Sequence, residues 1–264
     1  MKNIEHLLEV MERLRDPQKG CPWDKQQTFA SLIPYTLEES YEVADAIEKQ
    51  DYTELQQELG DLLFQVVFYA QIAREQGLFD FDDVAGSISE KLIRRHPHVF
   101  ADEKVDSVEQ QTAAWEEHKR KEREKKVDKT TAVSELDGVI KALPALSRAQ
   151  KLQRRAARVG FDWENIDDVY AKLSEEAAEV KQAVTTSDPQ AMEGEVGDLV
   201  FSCVNLARSL DIDTEEATRK ACLKFERRFR SVESKVAAQQ LTLSDLSAAQ
   251  LDSLWQAVKA EEKS

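Results

Sequence analysis

Apolar side chains recur every three or four positions through Ile4, Leu7, Leu8, Met11 and Leu14, the period of one helical face. The run ends at Asp16-Pro17, where proline removes a backbone donor. A loop over Gly20-Cys21-Pro22-Trp23-Asp24 leads to a helix expected to open near Thr36, with Leu37, Tyr41, Val43, Ala44 and Ile47 on its buried side. Asp51-Tyr52 breaks that helix, and Thr53 is the expected cap of the next. The third helix carries Leu55, Leu59, Leu62, Leu63, Val66, Val67 and Ala70, the most apolar stretch of the first half, and Gly77 offers its stop. Phe81, Val84, Ile88 and Leu92 continue the spacing to His96-Pro97. A charged helix is expected around Trp115, followed by Lys119-Arg120-Lys121-Glu122-Arg123-Glu124-Lys125-Lys126, whose mixed charge suits a solvated helix end or linker.

The same pattern is then repeated. Glu38-Glu39-Ser40-Tyr41-Glu42 returns 137 positions later as Glu175-Glu176-Ala177-Ala178-Glu179. Glu58-Leu59-Gly60-Asp61 returns at the same offset as Glu195-Val196-Gly197-Asp198, followed by Phe64/Phe201, Val67/Val204 and Ala70/Ala207. Gly20 and Trp23 match Gly160 and Trp163 at an offset of 140, Lys91 and Arg95 match Lys224 and Arg228 at 133, and Trp115 and Lys119 match Trp255 and Lys259 at 140. The chain is therefore expected to be all-α, with two tandem, homologous domains resembling four-helix bundles. The expected boundaries are 1–122 and 136–264, with 123–135 as a charged linker.

Composition narrows the class. Only 8 Gly and 6 Pro in 264 residues argue against a loop-rich or all-β chain. A 41% hydrophobic and 33% charged composition can bury a core and cover it with ions. The net charge of −15 disfavours adhesion to nucleic acid or anionic lipid. The longest apolar region, Leu62 to Ala73, is interrupted by Gln65 and Gln71 and is too short to span a bilayer. No signal peptide is evident at the amino terminus. Cys21, Cys203 and Cys222 form no C-x-x-C pair, so a cytoplasmic location is expected.

Within each repeat the chemistry lies in carboxylates. Glu39 and Glu42 are three apart on one helix, as are Glu58 and Asp61 on the next, so each pair projects from one face. If the two helices are antiparallel neighbours, four carboxylates converge, and Glu176, Glu179, Glu195 and Asp198 do the same in the second repeat. Such a group repels itself unless a cation sits within it, and all-oxygen ligation selects Mg²⁺ or Mn²⁺. A solvated acidic helix face is the plain alternative for any one copy. Lys172 lies four before Glu176, Lys224 four before Arg228, and Lys259 four after Trp255, so these cations could reach toward the acids and hold phosphate oxygens. Taken singly, each is more simply a surface ion pair, and Trp255 a packing residue. A ferritin-like di-iron centre would need Glu-x-x-His, but Asp61 and Asp198 stand where the histidines would be. A zinc role for His96-Pro97-His98 is weaker than a structured turn.

The E-E-x-x-E motif, the E-x-G-D motif sixteen positions beyond it and the later K-x-x-x-R helix resemble the MazG family of nucleoside triphosphate pyrophosphohydrolases. The likeness spans nearly the whole chain, including Gly20-Cys21-Pro22-Trp23-Asp24, Arg94-Arg95-His96-Pro97-His98-Val99-Phe100, Gly160-Phe161-Asp162-Trp163 and Lys224-Phe225-Glu226-Arg227-Arg228-Phe229. The resemblance implies an all-α homodimer that uses Mg²⁺ to split a nucleoside triphosphate into monophosphate and pyrophosphate, clearing nucleotide pools. It implies metal ligation by Glu176, Glu179, Glu195 and Asp198, and nucleotide contacts from Lys172, Lys224, Arg228, Trp255 and Lys259. Glu175 is the candidate to orient the attacking water. Glu39, Glu42, Glu58 and Asp61 are the equivalent ligand set of the first repeat. That repeat has Tyr35 where Lys172 would fall, so the main site is expected in residues 136–264, with the first domain structural, regulatory or weakly active. The rival function class is a non-enzymatic acidic scaffold that binds metal and partner proteins.

Overall fold

The computed structural model describes residues 2–101, 107, 110–111 and 134–262. The expected helix around Trp115, the Trp115/Lys119 match and most of the expected linker lie outside the described residues. The chain divides into two compact units, Met1–Lys121 and Glu122–Ser264. Every regular element among the described residues is a helix, and no described helix is long and apolar enough to cross a membrane.

The first unit contains α1 (Lys2–Leu14), α2 (Pro22–Gln26), α3 (Ile33–Lys49), α4 (Tyr52–Glu75), α5 (Phe81–Arg95) and the short α6 (Pro97–Phe100). The second contains α7 (Ala145–Arg158), α8 (Ile166–Thr186), α9 (Pro189–Ser209), α10 (Thr214–Ala238), a 3₁₀ turn at Leu243–Asp245 and α11 (Ala248–Glu261). In each unit the two acid-bearing helices, α3 with α4 and α8 with α9, pack along each other.

Their connection is a matched device. Gln50 ends α3 and Ser187 ends α8 in the left-handed conformation, with φ of 57° and 52°. The next residue caps the following helix: the Asp51 carboxylate accepts the amides of Thr53 and Glu54, both at 3.0 Å. Asp188 likewise accepts those of Gln190 and Ala191 at 2.9 and 3.3 Å. The cap is thus Asp51, not the expected Thr53, because its side chain precedes the helix and can reach two free amides. Tyr52 consequently opens α4 and does not break the chain. A two-residue connection also forces the helices to run antiparallel.

α3 begins at Ile33, a turn earlier than expected, with Pro34 in its first turn, where a missing N–H costs nothing. The expected buried side of α3 needs a larger correction. Leu37, Tyr41 and Ile47 are exposed, and Ala46 is the buried residue. A small side chain is thus the one residue of α3 that is fully buried, and three larger apolar groups are left open to solvent.

The first core gathers Met11, Leu32, Val67, Phe68 and Ile72, with Leu7, Leu8, Leu14, Phe29, Phe64, Tyr69 and Phe81 against it. Phe68 is its pivot. Its ring meets Trp23 and Phe64 edge-on at 6.4 and 5.5 Å, and the Arg15 guanidinium lies 5.5 Å from its centroid. Arg15 also bonds Glu75 at 2.8 and 2.6 Å and the Asp24 carbonyl at 2.6 Å, tying α1 and the α2 segment to the end of α4. The second unit has a smaller cluster of Val232, Val236 and Val258, covered by Leu243, Leu246, Leu254 and Trp255.

Because Phe68 is fully buried among aromatic partners, Phe68→Ala should cost about 3–5 kcal/mol, measured by denaturant unfolding. A loss below about 1 kcal/mol would show that Phe68 does not organise this core.

Candidate active site

Glu39 stands about three helical turns before the Gln50-Asp51 turn, and Asp61 about three turns after it. Antiparallel pairing therefore sets the acids at one level. Glu39, Glu58 and Asp61 each bring one carboxylate oxygen within 4.8 Å of the others. In the second unit Glu176, Glu179 and Glu195 do the same. Each expected foursome is thus gathered as three, and different members stand aside. Glu42 is outside the first trio but repels both Glu39 and Glu58. Asp198 is outside the second trio but lines the same cavity as Glu176.

The electrostatics record the crowding. Burial, then repulsion from Asp61 and Glu42, raises the Glu39 carboxyl above its ordinary pKa. Burial, then Glu42, Asp61 and Glu54, raises that of Glu58, with Lys49 opposing. Glu179 is raised by burial and then by Glu176 and Glu195, with Lys172 opposing. Hard oxygen donors that disfavour one another's charge at this separation suit a divalent cation.

Lys172 distinguishes the second unit. Its Nζ lies 2.8 Å from Glu175 Oε1 and 2.7 Å from Glu176 Oε1. The hydrogen bonds to Glu175 and then Glu176 push its pKa above the ordinary lysine value, so it is a permanent cation beside the acids. Glu176 is only 5% exposed, whereas the Glu175 side chain faces solvent. In the first unit Tyr35 occupies the matching position, its ring edge-on to Trp23 at 5.7 Å.

A cavity of about 560 Å³ opens beside Lys172, Glu176 and Asp198. Sequence reasoning missed its far side, where Arg208 binds both carboxylate oxygens of Asp162 and also the Asn205 side-chain oxygen at 3.0 and 2.7 Å. Asp162 is held below the usual carboxylate range, first by Arg208. The Gly160-Phe161-Asp162-Trp163 motif marked this loop, but its pairing with Arg208 spans 46 residues and leaves no spacing signature.

The remaining sequence candidates lie on α10 and α11. Arg228 binds Glu262 at 2.7 Å, and its guanidinium is 6.0 Å from the Trp255 ring. Trp255 packs on the Val232, Val236 and Val258 cluster and lies 5.3 Å from Phe225. Lys224 is exposed and Lys259 half-buried. None of these four lines the cavity that contains Glu176.

The model of the MazG nucleotide pyrophosphohydrolase domain matches residues 27–100 and again 165–232. This chain belongs to the MazG family. The two MazG segments contain both carboxylate trios, whereas Trp255 and Lys259 lie beyond them. The chain is 52% identical over 266 residues to a nucleoside triphosphate pyrophosphohydrolase of Escherichia coli (strain K12), covering 99% of each. It is 45% identical over 256 residues to the nucleoside triphosphate pyrophosphohydrolase/pyrophosphatase MazG of Thermotoga maritima, covering 97% of this chain and 95% of that one. A nucleoside triphosphate pyrophosphohydrolase of Mycolicibacterium smegmatis shares 35% identity over 236 residues, 89% of this chain and 61% of its own.

The crowded carboxylates give a signed prediction. With folded pKa values raised, the acids are charged and mutually repulsive above those values, and neutral below them. Millimolar Mg²⁺ should therefore raise the melting temperature at about pH 8, and the gain should fade toward about pH 5 as protons displace the cation. A melting temperature unmoved by Mg²⁺, Mn²⁺ and Ca²⁺ alike would contradict a cation site.

Proposed function

We propose that this chain is a Mg²⁺-dependent nucleoside triphosphate pyrophosphohydrolase, converting an NTP or dNTP and water to the monophosphate and pyrophosphate, with its main site in the second unit. The observation that carries the proposal is the meeting of Glu176, Glu179 and Glu195 within 4.8 Å, beside a Lys172 ammonium and a cavity. Mg²⁺ in that trio, with Asp198 at its margin, would supply Lewis acidity toward the phosphate oxygens. Mn²⁺ has the same ligand preference.

The protein's own groups fill the other roles. Lys172 neutralises phosphate charge as a fixed cation. Glu175, exposed and oriented by Lys172 at 2.8 Å, holds the attacking water and accepts its proton. Hydrolysis breaks one phosphoanhydride bond and needs no covalent nucleophile. Lys224, Arg228, Trp255 and Lys259 serve the nucleotide from α10 and α11, with Arg228 exchanging Glu262 for phosphate. The first unit repeats the acids but has Tyr35 in place of the ammonium, which supports a structural, regulatory or weakly active role.

A homodimer completes the proposal. Leu37, Tyr41, Ile47, Leu59, Val196 and Val200 are large apolar residues left exposed on the acid-bearing helices, as a surface awaiting a second copy would be. Cys21, Cys203 and Cys222 are free thiols, which suits an enzyme of cytoplasmic nucleotide pools.

The test compares full-length Glu39→Gln/Glu42→Gln with Glu176→Gln/Glu179→Gln for pyrophosphate release from a panel of NTPs, after confirming that both variants fold. The second should lose at least about a hundredfold in kcat/KM, and the first should keep most activity. The reverse pattern would move the site to the first unit, and no pyrophosphate release from wild type would leave only a metal-binding scaffold.

A further inference from the structure

The cavity beside Glu176 has a wall that the MazG core does not supply. The MazG segment of the second unit spans 165–232, whereas Leu136, Leu152, Phe161 and Trp163 line the cavity from outside it. Leu152 stands on α7, and Phe161 and Trp163 on the loop that follows. Leu136 comes from a turn ahead of α7, and a different interaction holds it in place.

That turn is closed by its own polar groups. The Ser134 amide donates to Asp137 Oδ2 at 2.9 Å, the Asp137 amide to the Ser134 carbonyl at 3.0 Å, and the Leu136 amide to Ser134 Oγ at 3.2 Å. A segment whose hydrogen bonds are internal can open and close as one piece. Arg155, on α7, ties it down: its Nη1 donates to the carbonyls of both Glu135 and Asp137. Those carbonyls flank Leu136, so one guanidinium fixes the backbone on either side of the residue that lines the cavity. Arg155 does not line the cavity itself and acts there through Leu136. Leu136 is still 44% exposed, and a ligand in the cavity would give it apolar surface to cover.

We propose that residues 134–138 form a strap that closes on the ligand of this cavity, with Arg155 as its latch and Leu136 as the side chain that makes contact. The proposal rests on the hydrolase reading above and adds the element that retains the substrate. Arg155 is a positioning residue in it. The latch grips main-chain carbonyls, so it needs the forked donors of a guanidinium and not a particular strap side chain. A strap at the mouth slows release of the bound triphosphate and leaves the chemistry at the acids unaltered.

Hydrogen exchange of the full-length protein reads the strap directly. α,β-Methylene-ATP with Mg²⁺ resists cleavage between its first two phosphates, and its binding should slow exchange of the peptide 134–140 about fivefold in wild type. Arg155→Met should abolish that protection. In steady state Arg155→Met and Leu136→Ala should each raise KM for ATP about fivefold with kcat within about twofold, and the double variant should do no more than either alone. Additive effects would show that Arg155 does not act through Leu136. Unchanged exchange in wild type that binds the analogue would show that the turn is a fixed wall. Either result would overturn the proposal while the hydrolase reading stands. Wild type that neither binds the analogue nor releases pyrophosphate from any NTP would remove both.

Discussion

Each unit depends on the close approach of like charges across a helix hairpin. The left-handed residue and following aspartate, Gln50-Asp51 in one unit and Ser187-Asp188 in the other, reverse the chain within two residues. Everything that makes the acids special follows from that reversal. It places E-x-x-E opposite E-x-G-D, and oxygen atoms that would separate in water are held within 4.8 Å. Burial first, and then repulsion between the acids, raises the carboxyl pKa values of Glu39, Glu58 and Glu179. Helix packing and the Asp caps support this arrangement, and a divalent cation would relieve it.

The two copies have used the same frame differently. In the first unit Tyr35, Trp23 and Phe68 interlock, and Arg15 ties α1 to α4 beneath them. Rings thereby fill the space around Phe68, with Trp23 and Tyr35 still open to solvent on one side. In the second unit Lys172 replaces the tyrosine and Asn205 the phenylalanine. The space remains open and acquires a permanent positive charge at its acidic end. The first unit fills this volume with aromatic rings, and the second leaves it as a cavity.

Much of this was legible in the sequence because it depends on period and offset. Helical spacing gave the order of elements, and the offset of 137 gave the paired acids and Tyr35 opposite Lys172. Directions of side chains were less accessible. Leu37, Tyr41 and Ile47 follow the apolar period of α3 and are exposed, yet Ala46 is its buried residue, because period alone does not say which apolar position a neighbouring helix covers. Thr53 and Asp51 are both good capping residues, and only the turn geometry decides between them. Contacts distant in sequence were not legible: Arg208 with Asp162, and Gln153 with the Phe201 carbonyl, join helices and loops across 46 and 48 residues. No local pattern encodes such pairs.

On this reading the trio on α8 and α9 holds the ion used in catalysis. Electron paramagnetic resonance of Mn²⁺ titrated into full-length protein reads this directly, since free Mn²⁺ gives a sharp signal that binding removes. Wild type should deplete the free signal. Glu176→Gln/Glu195→Gln should lose the tighter class of sites while Glu39→Gln/Glu58→Gln retains it. A tighter class that survives the loss of Glu176 and Glu195 charge, or a wild type that leaves the Mn²⁺ signal undiminished, would contradict the account.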